Sequence, residues 1–72
     1  MTKELFRLIR VEKRLNQRQF AERLGVSSAL VAMIESGKRD LSKRTAAKIV
    51  HALGLTDSDF DRLAELRAML SE

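Results

Sequence analysis

The stretch Asn16–Gly37, NQRQFAERLGVSSALVAMIESG, decides the fold of this chain. It contains two short runs in which apolar residues recur three and four positions apart, which is the period of a helix. The first run predicts a helix over Gln17–Leu24, and the second predicts a helix over Ser28–Ser36. Between them lies Gly25, and glycine readily adopts the left-handed conformation in which helices commonly end. The stretch therefore predicts two helices joined by a tight turn.

Polar residues stand where both predicted helices should begin. Asn16 is a favourable N-cap, and Gln19 lies three residues later, where it completes a capping box. Ser27 can cap the second helix, and Gly37 follows the last residue of that helix. Two short helices held at an angle by one glycine are typical of the helix-turn-helix motif.

The segment from about residue 6 to 55 resembles the Cro and phage-repressor type of helix-turn-helix DNA-binding family. The residues that carry the resemblance are Arg10, Gln17, Phe20, Ala21, Leu24, Gly25, Val26, Ser27, Val31, Ile34, Glu35, Gly37 and the later ALGL. The resemblance implies an all-α fold, a compact five-helix bundle of the lambda-repressor-like type, and a role in transcriptional control. The spacing of the residues predicts the motif alone and does not by itself predict repression.

The composition limits the number of domains and argues against metal sites and membrane segments. With 72 residues the chain is expected to form one domain, 1–72, with a small core and no room for a separate effector domain. It has no cysteine and one histidine, so we expect no metal site and no cofactor. No apolar run reaches the length of a membrane span or a signal sequence, so a cytoplasmic protein is expected. The resemblance implies that it is encoded by a bacterium or a phage.

The charge is unevenly distributed along the chain. Residues 1–55 contain 12 lysines and arginines and 5 acidic residues, whereas residues 56–72 contain 2 basic and 5 acidic residues. A basic body with an acidic end suggests that the body binds a polyanion and that the end does not. An unevenly charged, solvated surface is the alternative interpretation.

The second helix of the motif is expected to contact DNA bases, because in this motif its N-terminal residues enter the major groove. Val31 and Ile34 should face the core. The residues left facing outward, and hence the predicted base-reading residues, are Ser27, Ser28, Ala29, Ala32 and Met33. Alanine and methionine can contact thymine methyl groups, and serine hydroxyls can bond to bases or phosphates. The alternative is that Ala29 and Met33 belong to a contact with another protein.

The front of this helix lacks the glutamine or arginine that the resembled family often has there. Bidentate hydrogen bonds to bases are therefore not expected, and specificity should rest on methyl contacts, bridging water, DNA shape and the nearby basic loop.

Seven residues are predicted to contact the DNA backbone. They are Arg10, Gln17, Arg18, Lys38, Arg39, Lys43 and Arg44. Gln17 and Arg18 begin a helix, where free N–H groups favour a phosphate, and the resemblance points to Gln17 in particular. First-turn solvation is the alternative for Gln17. The resemblance also implies that Arg10 pairs with Glu35 in a partly buried position, close to a phosphate. The alternative is that both are independent surface residues.

Three further helices complete the prediction. The first spans residues 2–14, with an apolar stripe that includes Phe6 and Ile9 and continues to Val11. The fourth spans about Lys43–Leu53, with Val50 among the residues of its inner face.

The fifth helix is predicted in the C-terminal segment 56–72 and should end at about Leu70. Phe60, Leu63, Ala64 and Arg67 are expected to pack on the domain. Leu66, Met69 and Leu70 remain as an apolar excess, which predicts a homodimer interface. The alternative is that Leu66 and Met69 complete the core of a monomer.

Three functions fit these patterns. The first is a DNA-binding transcription regulator, most simply a dimeric repressor of phage, plasmid or mobile-element type bound to double-stranded operator DNA. The second is a protein-interaction module, such as the antitoxin of a toxin–antitoxin pair. The third is a nonspecific DNA-associated protein. Catalysis is not expected, because the sequence has no glycine-rich phosphate loop, no metal-ligand cluster and no nucleophile–base pair.

Overall fold

The computed structural model describes residues 1–70, which form five α-helices and, within that range, no β-strand. The helices are α1 (Lys3–Glu12), α2 (Gln17–Leu24), α3 (Ser28–Ser36), α4 (Lys43–Leu53) and α5 (Asp57–Leu70). The predicted all-α, five-helix fold is confirmed, and the bounds of α2, α3 and α4 are those predicted from the sequence. The last two positions of the predicted segment 56–72 lie outside the described residues.

The ends of α2 show why its bounds are readable from sequence. The backbone N–H of Gln19 donates to Asn16 Oδ1 at 2.7 Å, and the Asn16 N–H donates to Gln19 Oε1 at 2.9 Å. This is the predicted capping box. At the other end Gly25 has φ +68°, and the Val26 N–H donates to the Ala21 carbonyl at 3.0 Å. That bond closes the turn between α2 and α3.

The first helix is shorter than predicted, because it ends at Glu12 and not at residue 14. Arg14 adopts φ +58°, the left-handed conformation that glycine adopts after α2, α3 and α4. The Leu15 N–H then donates to the Arg10 carbonyl at 3.1 Å, which closes the end of α1 in the same way. The sequence pattern missed this end because no glycine marks it.

The core lies where α1, α2 and α3 meet. The rings of Phe6 and Phe20 pack edge to face, with centroids 5.1 Å apart and planes at 67°. The buried apolar residues are Phe6, Ile9, Phe20, Ala21, Leu24, Val31, Ile34, Ile49, Leu55 and Leu63. In addition, α1 contacts α5, and α2 contacts α4. The packing thus fixes α3 against both of the helices that precede it.

Four residues predicted to lie on inner faces are exposed instead: Val11, Val50, Ala64 and Arg67. Val11 is 51% exposed because it lies two residues after the buried Ile9, which places it on the opposite side of α1. Val50 is exposed because Ile49, the residue before it, faces the core, and adjacent residues of a helix point in different directions. Within residues 1–70, no helix has the length and apolar character needed to cross a membrane.

Candidate nucleic-acid interface

The α3 helix is anchored on one side and accessible on the other. Val31 and Ile34 are almost fully buried and hold the helix against the core. Of the five predicted base-reading residues, three are exposed and two are partly buried. The exposed ones are Ser27, Ser28 and Ala29, and the partly buried ones are Ala32 and Met33. The N-terminal part of α3 is therefore its most accessible part.

Ser27 caps α3 with its side-chain oxygen, and its hydroxyl group remains able to donate a hydrogen bond. Its Oγ accepts a hydrogen bond from the Leu30 N–H at 3.1 Å, which caps α3. The hydroxyl proton is not used in that bond and can be donated to a phosphate or a base. The N–H groups of Ser28 and Ala29 lie in the first turn, where a helix offers no acceptor of its own. This end of α3 thus presents several donors together.

The starts of α2 and α4 also carry side chains that were predicted to contact phosphates. Gln17 is partly buried at the start of α2, and Arg18 beside it is exposed. Arg18 Nε lies 3.5 Å from Glu22 Oε1, but an exposed pair of this kind is weak and can exchange for a phosphate. At the start of α4, Lys43 and Arg44 are both exposed, and their positive charge opposes the helix dipole. An approaching phosphate would relieve that opposition.

The basic loop after α3 is tied to the last turn of that helix. The Met33 carbonyl accepts from the Lys38 N–H at 2.9 Å and from the Arg39 N–H at 3.2 Å. It also accepts from the Ser36 hydroxyl at 3.1 Å. Lys38 and Arg39 are exposed, so the structure brings two predicted phosphate contacts close to a predicted base-reading residue.

Lys3 joins this basic region, and sequence reasoning assigned it no role. Its Nζ lies 3.1 Å from the position that a Cβ on Gly37 would occupy, so the lysine covers the glycine after α3. Lys3 and Arg39 also line the same cleft. No sequence signal links Lys3 to Gly37, because the contact depends on how α1 packs against the end of α3.

The ion pair expected between Arg10 and Glu35 is present. Arg10 Nε donates to Glu35 Oε2 at 2.7 Å, and Nη2 donates to Oε1 at 2.9 Å. Nη1 donates to the Leu15 carbonyl at 2.9 Å, so each guanidinium nitrogen has a protein acceptor. The side chains are only 14% and 6% exposed, respectively. This geometry fixes α1 to the end of α3, and the phosphate contact predicted for Arg10 stays a prediction.

Arg7 is a second cation beside Glu35. Its Nε lies 3.8 Å from Glu35 Oε1, and its side chain is largely exposed. Sequence reasoning assigned Arg7 no role. Because Arg7 and Arg10 are three residues apart on one helix, both reach the same carboxylate.

The start of α5 carries a reciprocal cap that holds an acidic side chain. The Thr56 N–H donates to Asp59 Oδ2 at 2.9 Å, and the Asp59 N–H donates to Thr56 Oγ1 at 3.3 Å. Hydrogen bonds from the backbone N–H and the hydroxyl of Thr56 lower the pKa of Asp59, and the charges of Arg62 and Lys13 add to that effect. Arg62 also pairs with Glu12 at 3.0 Å, which joins α5 to the end of α1.

The predicted interface residues of α5 are accessible to different degrees. Leu66 is partly buried, whereas Met69 is 69% exposed and Leu70 is 76% exposed. Both exposed side chains belong to the last turn of α5. The structure describes one chain, so the interface itself stays a prediction.

Comparison with known families agrees with this geometry. A family model described as helix-turn-helix matches residues 6–60, which is most of the chain. The chain belongs to the Cro/C1-type helix-turn-helix family. Members of this family are DNA-binding regulators and are typically not enzymes. The match indicates that this chain is a DNA-binding transcription regulator. A search of the curated proteins and a search of the solved structures each gave no match.

Proposed function

We propose that this Cro/C1-type protein is a sequence-specific transcription regulator that reads operator DNA in the major groove with α3. A dimeric repressor of phage, plasmid or mobile-element type is the form we favour. The observation that carries the proposal is the exposed N-terminal part of α3, Ser27 to Ala29, held out by the buried Val31 and Ile34. Such a helix end is the part that enters the groove in helix-turn-helix proteins.

Base reading in this proposal depends on small and apolar side chains. Ala29 and the accessible parts of Ala32 and Met33 would contact thymine methyl groups, and Ser27 and Ser28 would donate to bases or phosphates. Small side chains also let the helix backbone approach the bases closely. Sequence-dependent DNA shape would supply the remaining specificity.

Backbone binding in this proposal uses the starts of α2 and α4 together with the loop after α3. Gln17 and Arg18 would bind one phosphate region, and the exposed pairs Lys38–Arg39 and Lys43–Arg44 would bind another. Arg10 would act mainly through Glu35, since its guanidinium nitrogens already have protein acceptors. In this arrangement residues 1–72 act as one DNA-binding domain.

A homodimer through α5 would give the operator its two-fold symmetry. Leu66, Met69 and Leu70 would form the interface, and the exposure of Met69 and Leu70 in a single chain supports that role. Two α3 helices would then lie roughly 34 Å apart, about one turn of DNA. The operator is accordingly expected to contain two related half-sites.

The test is binding to a duplex selected from a random pool, measured against scrambled competitor across a range of salt concentrations. Contacts to roughly six phosphates should lower the affinity about a thousandfold between low and moderate salt. Ala29→Glu should abolish the preference for the selected duplex, because Ala29 is exposed and the fold tolerates the change. Ala64→Glu, at an exposed position on α5, is the matched control and should bind like the wild type. Equal affinity for selected and scrambled duplexes would leave only nonspecific DNA binding.

A protein-interaction role, as in an antitoxin, is the second candidate. The exposed Met69 and Leu70 favour it, because a protein partner could cover them in place of a second copy of the chain. Sedimentation of the purified protein separates the two interpretations. A dimer disrupted by Met69→Lys supports self-association, whereas a monomer at every concentration leaves α5 available for another protein.

A further inference from the structure

The end of α3 carries a cation that comes from a different helix. Lys3, the first residue of α1, lies over Gly37, the residue that follows α3. Its Cδ and Nζ are 3.6 Å and 3.1 Å from the position that a Cβ on Gly37 would occupy. Any side chain at position 37 would therefore push the lysine away. Glycine here both permits φ +80° at the end of α3 and leaves room for Lys3.

The Lys3 ammonium is positioned by this contact without being neutralised by it. Lys3 is exposed, and within residues 1–70 it has no ion pair and no side-chain hydrogen bond. A lysine ammonium has three donors. Contact with Gly37 restricts the aliphatic part of the side chain, and the donors remain available for an acceptor outside the chain.

Two further cations lie next to Lys3 in the same condition. Lys38 and Arg39 directly follow Gly37, both are exposed, and neither side chain has an ion pair in the part of the chain that the structure describes. Their backbone N–H groups donate to the Met33 carbonyl, which holds the loop in place. Lys3 and Arg39 line one cleft. Cations from two distant parts of the sequence thus meet at the end of α3.

The third cation matters because this end of α3 also carries negative charge. A helix C-terminus is the negative end of the helix dipole, and Asp40 lines the same cleft. Glu35 adds little, since Arg10 already donates two hydrogen bonds to it. The two loop cations alone would face Asp40 and the dipole. Lys3 raises the balance to three cations against the one carboxylate of Asp40, which favours binding of a phosphate.

We propose that Lys3 is a further DNA-binding residue, and that its ammonium binds a backbone phosphate in the stretch of DNA held by Lys38 and Arg39. The inference rests on the proposed binding of duplex DNA by α3. Met33, a predicted base-reading residue, is bonded to this loop through its carbonyl, so the strand beside the groove read by α3 passes close to it. The ammonium and the phosphate would form a charge-assisted hydrogen bond.

A purely structural role for Lys3 predicts different behaviour. A lysine near a helix C-terminus can stabilise that helix through the dipole without touching DNA. Its removal would then lower the stability of the free protein and leave the salt dependence of DNA binding unchanged. A phosphate contact has the opposite signature, because each neutralised phosphate adds to the number of counterions released on binding.

The experiment is a salt titration of binding to the selected duplex by the wild type, Lys3→Gln and Lys3→Arg. For Lys3→Gln, the slope of log affinity against log salt concentration should be smaller by about 0.9, so its loss of affinity between about 50 and 200 mM salt should be about 3.5 times smaller. Lys3→Arg should keep the wild-type slope. The preference for selected over scrambled duplex should not change, because a backbone contact carries no sequence information.

Lys13→Gln is the matched control. It removes the same charge from an exposed lysine just after α1, roughly 15 Å along the helix from Lys3, and should keep the wild-type slope. Single uncharged methylphosphonates in the duplex then locate the phosphate. At the partner of Lys3, the replacement should weaken binding by the wild type and by Lys13→Gln, and it should have no effect on Lys3→Gln.

Two results would overturn the inference, and they differ in what else they affect. If Lys3→Gln keeps the wild-type slope, with or without a lower urea midpoint of the free protein, Lys3 does not bind DNA and the proposed function of α3 stands. If the wild type shows no salt-dependent binding to any duplex, both the Lys3 contact and the proposed function are wrong.

Discussion

Replacing Glu35 by alanine should be among the most destabilising single changes in this protein. Glu35 receives two hydrogen bonds from Arg10, and both side chains are largely shielded from water. Without Glu35, the guanidinium keeps only the Leu15 carbonyl as a protein acceptor. Breaking a buried pair costs about 3–5 kcal/mol, and the small remaining exposure of Arg10 favours the lower end, about 3 kcal/mol.

That loss would be a large part of the total stability. A chain of 72 residues is expected to have an unfolding free energy of about 4–10 kcal/mol, and no disulfide adds to it. The measurement is urea unfolding followed by circular dichroism, with an unchanged slope indicating that the unfolding remains two-state. The double variant Arg10→Met with Glu35→Leu should recover at least about half of the loss, because a well-packed apolar pair can replace a buried ion pair.

Arg7→Ala is the matched control for this prediction. Arg7 approaches the same carboxylate at 3.8 Å but is largely exposed, so its removal should cost less than about 0.5 kcal/mol. If Glu35→Ala costs no more than Arg7→Ala, the pair does not fix α1 to α3 and the reasoning from burial is wrong. The coupling of Arg10 to Glu35 would also be refuted if the loss of unfolding free energy in the double variant equalled the sum of the losses in its two single variants.

Two further predictions concern the backbone and pH. Arg14→Gly should raise the unfolding free energy by about 0.5–1 kcal/mol, since Arg14 has φ +58° and glycine adopts that conformation without a steric penalty. Gly25→Ala is the opposite change at φ +68°, where no neighbouring atom would meet the new Cβ, and it should lower the unfolding free energy by about 1 kcal/mol. Equal melting temperatures for both variants and the wild type would contradict these two predictions. The pKa of Asp59 is lower in the folded protein because of the bonds from Thr56, so its contribution is complete above the unfolded-state pKa and is lost as the pH falls through the folded-state value. Asp59→Asn should therefore be less stable than the wild type at neutral pH, and the difference should shrink in acid; a difference independent of pH would refute this.

The sequence predicted the parts of the fold that are set locally. Asn16, Ser27 and Ser42 cap the starts of α2 to α4, and the ends are followed by Gly25, Gly37 and Gly54. The bounds of these three helices could therefore be placed from those residues. The end of α1 could not, because an arginine occupies the left-handed conformation there and only the surrounding packing determines that.

Contacts between distant residues were predictable only in part. Arg10 and Glu35 are 25 residues apart, and their pairing was expected from the family resemblance and not from spacing. The approach of Lys3 to Gly37 and the pair between Arg62 and Glu12 had no sequence signal. Each of these depends on the angle at which α1 packs against α3 or α5, which local patterns do not specify.

The most direct test of major-groove reading by α3 is to replace each thymine of the selected duplex by uracil and measure binding. This change removes only a methyl group that projects into the major groove. Loss of one methyl contact with Ala29 or Ala32 should weaken wild-type binding by about fourfold, equivalent to roughly 0.8 kcal/mol, and the corresponding alanine-to-glycine variant should be insensitive to the same replacement. Binding that is indifferent to uracil at every position, together with normal binding by Ala29→Glu, would contradict the assignment of α3 as the helix that reads DNA.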